Sequence, residues 1–137
     1  MKKINGSMVA RLLIFAISLS FFNGESVYAL PSFPGAEGFG TDTPGGRGGP
    51  VLVVTNRNSS GPGSFQEAML TTGPRIIVFR VSGVIDLSGV DKLTEAHSNV
   101  TVLGQSSPGG ITFINGAIGN YQTNVHDVIL RFIRIRA

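Results

Sequence analysis

The sequence predicts an all-β chain wound as a right-handed parallel β-helix, a solenoid that begins behind a short capping helix. Three observations carry that expectation. Short strand-like runs open at Ile76, Val100 and Val128, at separations of 24 and 28 residues, a period suited to stacked coils. The run from Val128 to Ile135 changes parity midway, with Val128 and Leu130 on one face and Ile133 and Ile135 on the other. A corner is therefore expected near Arg131 and Phe132. Charged residues make up 14% of the chain, against about 25% in typical soluble domains, which fits a sheet-rich sequence with much of its length inside. A β-sandwich is the competing fold, although beyond residue 30 the Asn-Gly hairpin signal occurs only at Asn115-Gly116.

Taken in order, the elements begin with a leader. Lys2, Lys3 and Arg11 precede the apolar stretch Leu12 to Phe22, and Val27, Tyr28, Ala29 place small residues at −3 and −1 of a cleavage site. Residues 1–29 read as a secretory signal peptide, with an apolar run shorter than the roughly 20 residues that span a bilayer. The chain is expected to be exported, with residues 30–137 forming one domain and no membrane attachment after cleavage. Leu30 to Pro50 is rich in Gly and Pro and reads as an ordered loop. Its Gly45 to Gly49 lacks the Lys-Ser/Thr pair of a phosphate-binding loop.

Val51 to Val54 forms a first strand. Phe65, Ala68 and Met69 then recur at helical spacing, behind a Ser64 and Glu67 capping box and before a Gly73-Pro74 stop. That apolar stripe is suited to covering the exposed end of the first coil. In the next run Ile77, Phe79 and Val81 alternate with Ile76, Val78 and Arg80, which puts the first set inward and Arg80 in water. Val84 to Leu87, Val100 to Leu103, Ile111 to Ile114 and Val128 to Ile135 follow, each bounded by turn residues. Asn99-Val100 and Asp127-Val128 repeat locally.

Charge and composition narrow the function classes. Without the leader the chain has 8 basic and 7 acidic residues, so its basic character gives no support to nucleic-acid binding. Cysteine is absent, so stability must come from packing, stacking or more chain rather than disulfides. Asp86, Asp91, Glu95 and Asp127 lie in different segments, and no D-x-D pair is present. His97 and His126 stand alone and read as surface turn residues, while Glu37 and Asp42 read as turn carboxylates accepting backbone amides. Arg131, Arg134 and Arg136 are the candidates for contact with an anionic polysaccharide, the alternative being the solvated face of a strand. Asn58-Ser59-Ser60 and Asn99-Val100-Thr101 match the glycosylation pattern, and a bacterial origin would leave both matches without meaning.

Several of these segments together resemble a known family. The order Phe33-Pro34-Gly35-Ala36-Glu37-Gly38-Phe39-Gly40, the Gly45 to Gly49 loop, Val51 to Thr55, Ser60 to Ser64, Gly73 to Phe79, Gly104-Gln105 and Pro108 to Gly110 is similar to the N-terminal segment of secreted bacterial pectate lyases of polysaccharide lyase family 1. The resemblance covers nearly all of residues 32 to 136. It implies a pectin-lyase-like solenoid cut after its first coils, calcium as cofactor, and pectate or polygalacturonate as the partner cleaved by β-elimination. It also implies a monomer. The family's calcium carboxylates, its Ile-Asp-His segment and its R-x-P-x-x-R motif have no counterpart in residues 1–137, so no catalytic, cofactor-binding or metal residue is assigned. The chain alone is expected to be inactive and marginally stable. A β-helical carbohydrate-binding or surface-adhesion protein is the non-enzymatic alternative, and a pectin lyase with the same N-terminal segment the nearer one.

Overall fold

Every strand pairing among the described residues is parallel, and the chain alternates between two sheets as it advances. The computed structural model describes residues 30–89, 93–118 and 122–136. The expected signal peptide and Asp91 lie outside them. One sheet is ordered β1 (Val51–Val54), β2 (Arg75–Phe79), β4 (Val100–Leu103), β6 (Val128–Arg131). The other is ordered β3 (Gly83–Asp86), β5 (Ile111–Ile114), β7 (Ile133–Arg136). From β2 onward each sheet is visited in turn, so β2 with β3, β4 with β5 and β6 with β7 make three rungs. This connectivity is consistent with a parallel β-helix, and the parallel pairing removes the hairpin-built sandwich.

Side-chain alternation explains what lies between the sheets. Ile77 is in register with Val102, and Ile85 with Phe113, and all four are almost completely buried. The same columns continue to Leu130 and Ile135, which are 36% and 47% exposed on the last rung. The corner expected near Arg131 and Phe132 is the junction of β6 and β7, made by Phe132 at φ 54°. Asn99 (φ 59°) and Asp127 (φ 54°) likewise enter β4 and β6 from the left-handed region. Their local repeat is thus a repeated turn, in which the Asp127 carbonyl accepts from Val100 N–H and the Asn99 carbonyl from Arg75 N–H. Asn and Asp tolerate that conformation better than most residues.

The helix α1 (Phe65–Leu70) takes the chain position between β1 and β2 where later rungs have a strand. Hence one sheet has four strands and the other three. Phe65, Ala68 and Met69 are buried, and the Phe65 ring lies 4.4 Å from Phe113 and 5.9 Å from Phe79. Aromatic pairs of this kind add about 0.5–1.5 kcal/mol each beyond area burial. Half of the expected capping box forms: Glu67 N–H donates to Ser64 Oγ at 3.2 Å. The return contact differs, because Ser64 N–H is used by the Gly61 carbonyl and the Glu67 carboxylate accepts from Gly63 N–H at 2.6 Å.

Arg75 is the residue that sequence reasoning passed over. It shares parity with Ile77 and Phe79, and its side chain is fully buried. No carboxylate among the described residues neutralises it. Its Nε donates to the Ala68 carbonyl (2.9 Å), Nη1 to Gly73 (2.9 Å) and Ser98 (3.0 Å), and Nη2 to Met69 and to His97 (2.9 Å). One planar fork thereby ties the last carbonyls of α1 to the 3-10 turn Glu95–His97 and to Ser98. Burial pushes the guanidinium pKa below its ordinary value.

The loop at 30–50 lies against the outer face of the four-stranded sheet. Gly46 N–H donates to Thr101 Oγ1 at 2.9 Å, and a Cβ on Gly45 would collide with Thr101 and Ile129. Ile129 is therefore the buried residue of β6, although it points away from the interior set. Hydroxyl bonding orders the loop: Ser32 Oγ lies 2.8 Å from the carbonyls of Thr41 and Thr43. Glu37 and Asp42, expected to fill that role, are exposed.

Candidate functional site

The corner between β6 and β7 separates the three arginines. Arg131 ends β6, and its guanidinium carbon sits 4.2 Å from the Phe33 ring centroid and 5.3 Å from that of Phe132. It pins the N-terminal loop to the last rung by a cation–π contact. Arg134 and Arg136 alternate with Ile133 and Ile135 on β7 and are exposed. Arg131 thus belongs to one sheet while Arg134 and Arg136 belong to the other.

Beside the corner runs a groove of about 370 Å³ lined by Gly104, Gln105, Gly110, Phe132 and Arg134 among others. Its floor is bare backbone for a steric reason. A Cβ on Gly104 would lie 2.2 Å from the Phe132 carbonyl oxygen, and one on Gly110 would lie 3.1 Å from Arg134 Nη1. Ser107, buried, donates to the Val81 carbonyl at 2.8 Å and anchors the loop that carries Gln105. Phe132 stands 68% exposed above this floor.

The remaining candidates do not converge. His97 accepts from Thr94 N–H through Nδ1 at 2.9 Å, which makes it a turn-closing residue. His126 Nδ1 lies 2.7 Å from Asp127 Oδ2 at the surface. Glu95 is exposed in its 3-10 turn. Asp42 and Asp127 line a separate shallow groove with residues 38–44. Asn58 is exposed and Asn99 is half-buried in its turn.

Asp86 accepts from Ser88 N–H (2.8 Å) and from Asn115 Nδ2 (3.0 Å). The hydrogen bonds to Ser88, then the one to Asn115, hold its carboxyl pKa below the ordinary aspartate value. Because the folded pKa is the lower one, this stabilisation is complete above the unfolded pKa and disappears as pH falls through the folded one. Replacing Asn115 with alanine is expected to move the Asp86 titration upward, toward the ordinary value. Carboxyl-carbon NMR titration of Asp86 checks this, and an unmoved midpoint contradicts it.

Calcium takes about 6–8 oxygen ligands, and the described residues do not fit it. Among them no three His, Asp or Glu side chains gather to hold a metal, and the Asp86 and Glu67 carboxylates are bonded to amides. No helix of the described residues is long and apolar enough to cross a membrane.

A probable pectate lyase C of Aspergillus fumigatus is 49% identical over 88% of this chain, which corresponds to 27% of that protein. The chain is similar to fungal pectate lyases by name. The proteins of the same name from Aspergillus terreus and Aspergillus flavus are 50% and 46% identical over 82% and 90% of the chain, and 26% and 27% of their own lengths. The chain spans about a quarter of the length of the curated relatives it matches. These relatives are fungal, which corrects the expectation of bacterial ones. No family model matches the chain.

Proposed function

We propose that this chain is part of a polysaccharide lyase of the pectate lyase family, which cleaves pectate by calcium-assisted β-elimination. Identity near 49% across 88% of the chain carries the reading. The alternating parallel strands support it, since they suit the first coils of a right-handed β-helical solenoid with α1 as its cap. The interior columns end on exposed Leu130 and Ile135, aliphatic positions that a further coil would cover. On this reading residues 1–29 direct export, the working protein is monomeric, and the calcium ligands and the base come from coils beyond those described. Residues 30–137 alone would then turn over no substrate.

A chimera tests the proposal. Residues 30–137 replace the matching segment of the Aspergillus terreus relative, and release of unsaturated oligogalacturonides from polygalacturonate is followed with and without calcium. Calcium-dependent release is the expected result. A chimera that is folded but inactive, beside an active parent relative, overturns the proposal and favours the non-catalytic carbohydrate-binding reading.

A further inference from the structure

We propose that the cleft between the turn at Ser60, Gly61 and Pro62 and the flank of α1 is a subsite for a neutral glycosyl residue, with the Gln66 carboxamide and the Glu67 carboxylate as its hydroxyl partners. The proposal deepens the polysaccharide lyase reading and rests on it for the class of polymer. All the lining residues fall between Ser60 and Thr71. The helix lies against β1, the strand farthest from β6 in its sheet. A coil stacked on β6 and β7 therefore adds at the other end.

Gln66 is the first observation. It is 6% exposed, and its carboxamide has no hydrogen-bond partner among the described residues. Every side-chain nitrogen or oxygen among them that is sealed from solvent is bonded, so the small exposed part of Gln66 is its carboxamide, at the cleft it lines. The other buried polar residues, Ser64, Arg75, Ser98 and Ser107, all bond within the protein. A largely desolvated amide without a partner is destabilising, and methionine would serve the helix equally well. A carboxamide is favoured there when its partner arrives from outside.

The walls and charge of the cleft are the second observation. Gln66 with Leu70, and Glu67 with Thr71, are spaced four apart and share one flank of α1. The facing turn is held in place: Asn56 Nδ2 donates to the Pro62 carbonyl at 2.8 Å, Gly63 N–H donates to Glu67 Oε2 at 2.6 Å, and the Gly63 carbonyl accepts from Thr55 N–H at 2.9 Å. The volume of about 420 Å³ falls within the roughly 300–1,000 Å³ typical of small-ligand sites. No Lys, Arg or His lines the cleft and Glu67 is its one charge, so a uronate or other anion is disfavoured. A calcium ion needs about 6–8 oxygens, and the single carboxylate here is already bonded to an amide. The chemistry that fits is hydroxyls on an apolar frame. A carboxamide donates and accepts while a carboxylate only accepts, so neighbouring hydroxyls of a neutral pyranose can satisfy both. Pro62 and Leu70 offer apolar contact to its C–H face.

Nitrogen-15 NMR titration of the full chain tests the subsite, with methyl galactoside, methyl glucoside and methyl arabinoside as neutral probes and galacturonate as the acidic one. A neutral glycoside should move the Gln66 side-chain amide pair and the Gly61 amide with a saturable millimolar dissociation constant, the strength expected of about a dozen non-hydrogen atoms. Galacturonate should bind about tenfold more weakly, the scale of one unfavourable charge. Gln66→Met keeps the bulk and removes the carboxamide, so the unfolding midpoint should hold or rise while binding, read at Gly61, weakens about tenfold. Glu67→Gln should narrow the gap between neutral and acidic sugars. Gln105→Met, at an exposed glutamine outside the cleft, should leave binding unchanged. Unmoved resonances with every neutral glycoside, equal affinity for galacturonate, or full affinity in Gln66→Met overturns the subsite. The titration is repeated on the Aspergillus terreus chimera, and binding that vanishes there overturns it too, since the cleft would then be a surface the rest of the protein covers. The two proposals fail separately. An active chimera that binds no glycoside removes only the subsite, while a folded, inactive chimera that binds one removes only the lyase reading.

Discussion

Replacing Arg75 with methionine is expected to abolish cooperative folding of this protein. The substitution keeps an apolar stem of similar reach and removes the donors to the carbonyls of Ala68, Met69, Gly73, His97 and Ser98. Each buried acceptor left unpaired costs about 1–3 kcal/mol, against a total of about 5–15 kcal/mol for a whole domain. Loss of even three such bonds is comparable with all the stability available. Arg75→Lys should fall between parent and Arg75→Met, since an ammonium has three donors and cannot reproduce the planar fork. Urea denaturation followed by circular dichroism, with the parent alongside, reads the effect. An unfolding free energy for Arg75→Met within about 0.5 kcal/mol of the parent's, the range of ordinary surface substitutions, would show that the carbonyls find other donors.

The second large effect is expected from a single methyl group at Gly46. A Cβ there would lie 1.8 Å from the Arg75 carbonyl oxygen and 2.4 Å from its carbon. Both atoms are strand backbone that cannot turn aside. Gly46→Ala should therefore detach the loop at 30–50 from the outer face of the four-stranded sheet and uncover Ile129. The cost should be about 3 kcal/mol or more, at or beyond the upper end of ordinary overpacking. Gly48→Ala is the internal comparison: its φ is 80° with nothing within 4 Å, so it should cost only about 1 kcal/mol, as for other mild left-handed strain. Hydrogen exchange at Gly46 N–H, normally bonded to Thr101, separates local detachment from global unfolding. Equal protection in the two variants contradicts the close-contact argument.

How far the sequence discloses this arrangement depends on the range of the interaction. Strand spacing, the corner at Phe132 and the cap at Ser64 are local, and period-two alternation and turn residues expose them directly. Arg75 was half-legible. Its parity with Ile77 and Phe79 places it inside, but the carbonyls that make burial tolerable come from α1 and from the turn before β4, which no spacing rule joins to it. The covering of Ile129 by the N-terminal loop is invisible for the same reason. So is the groove, since Gly104 and Phe132 meet only through the stacking of one rung's loop on the next rung's corner.

Strand register also shows what this architecture leaves free to vary. Ile76 lies opposite Thr101 and Thr101 opposite Ile129, while Gly83 lies opposite Ile111 and Ile111 opposite Ile133, at unequal distances along the chain. Interior alignment is fixed strand by strand, and the excess length is absorbed in the connections. Insertions between β3 and β4, or between β5 and β6, can therefore reshape the periphery while the interior columns keep their neighbours. New surfaces can evolve on such a chain without any change to its centre.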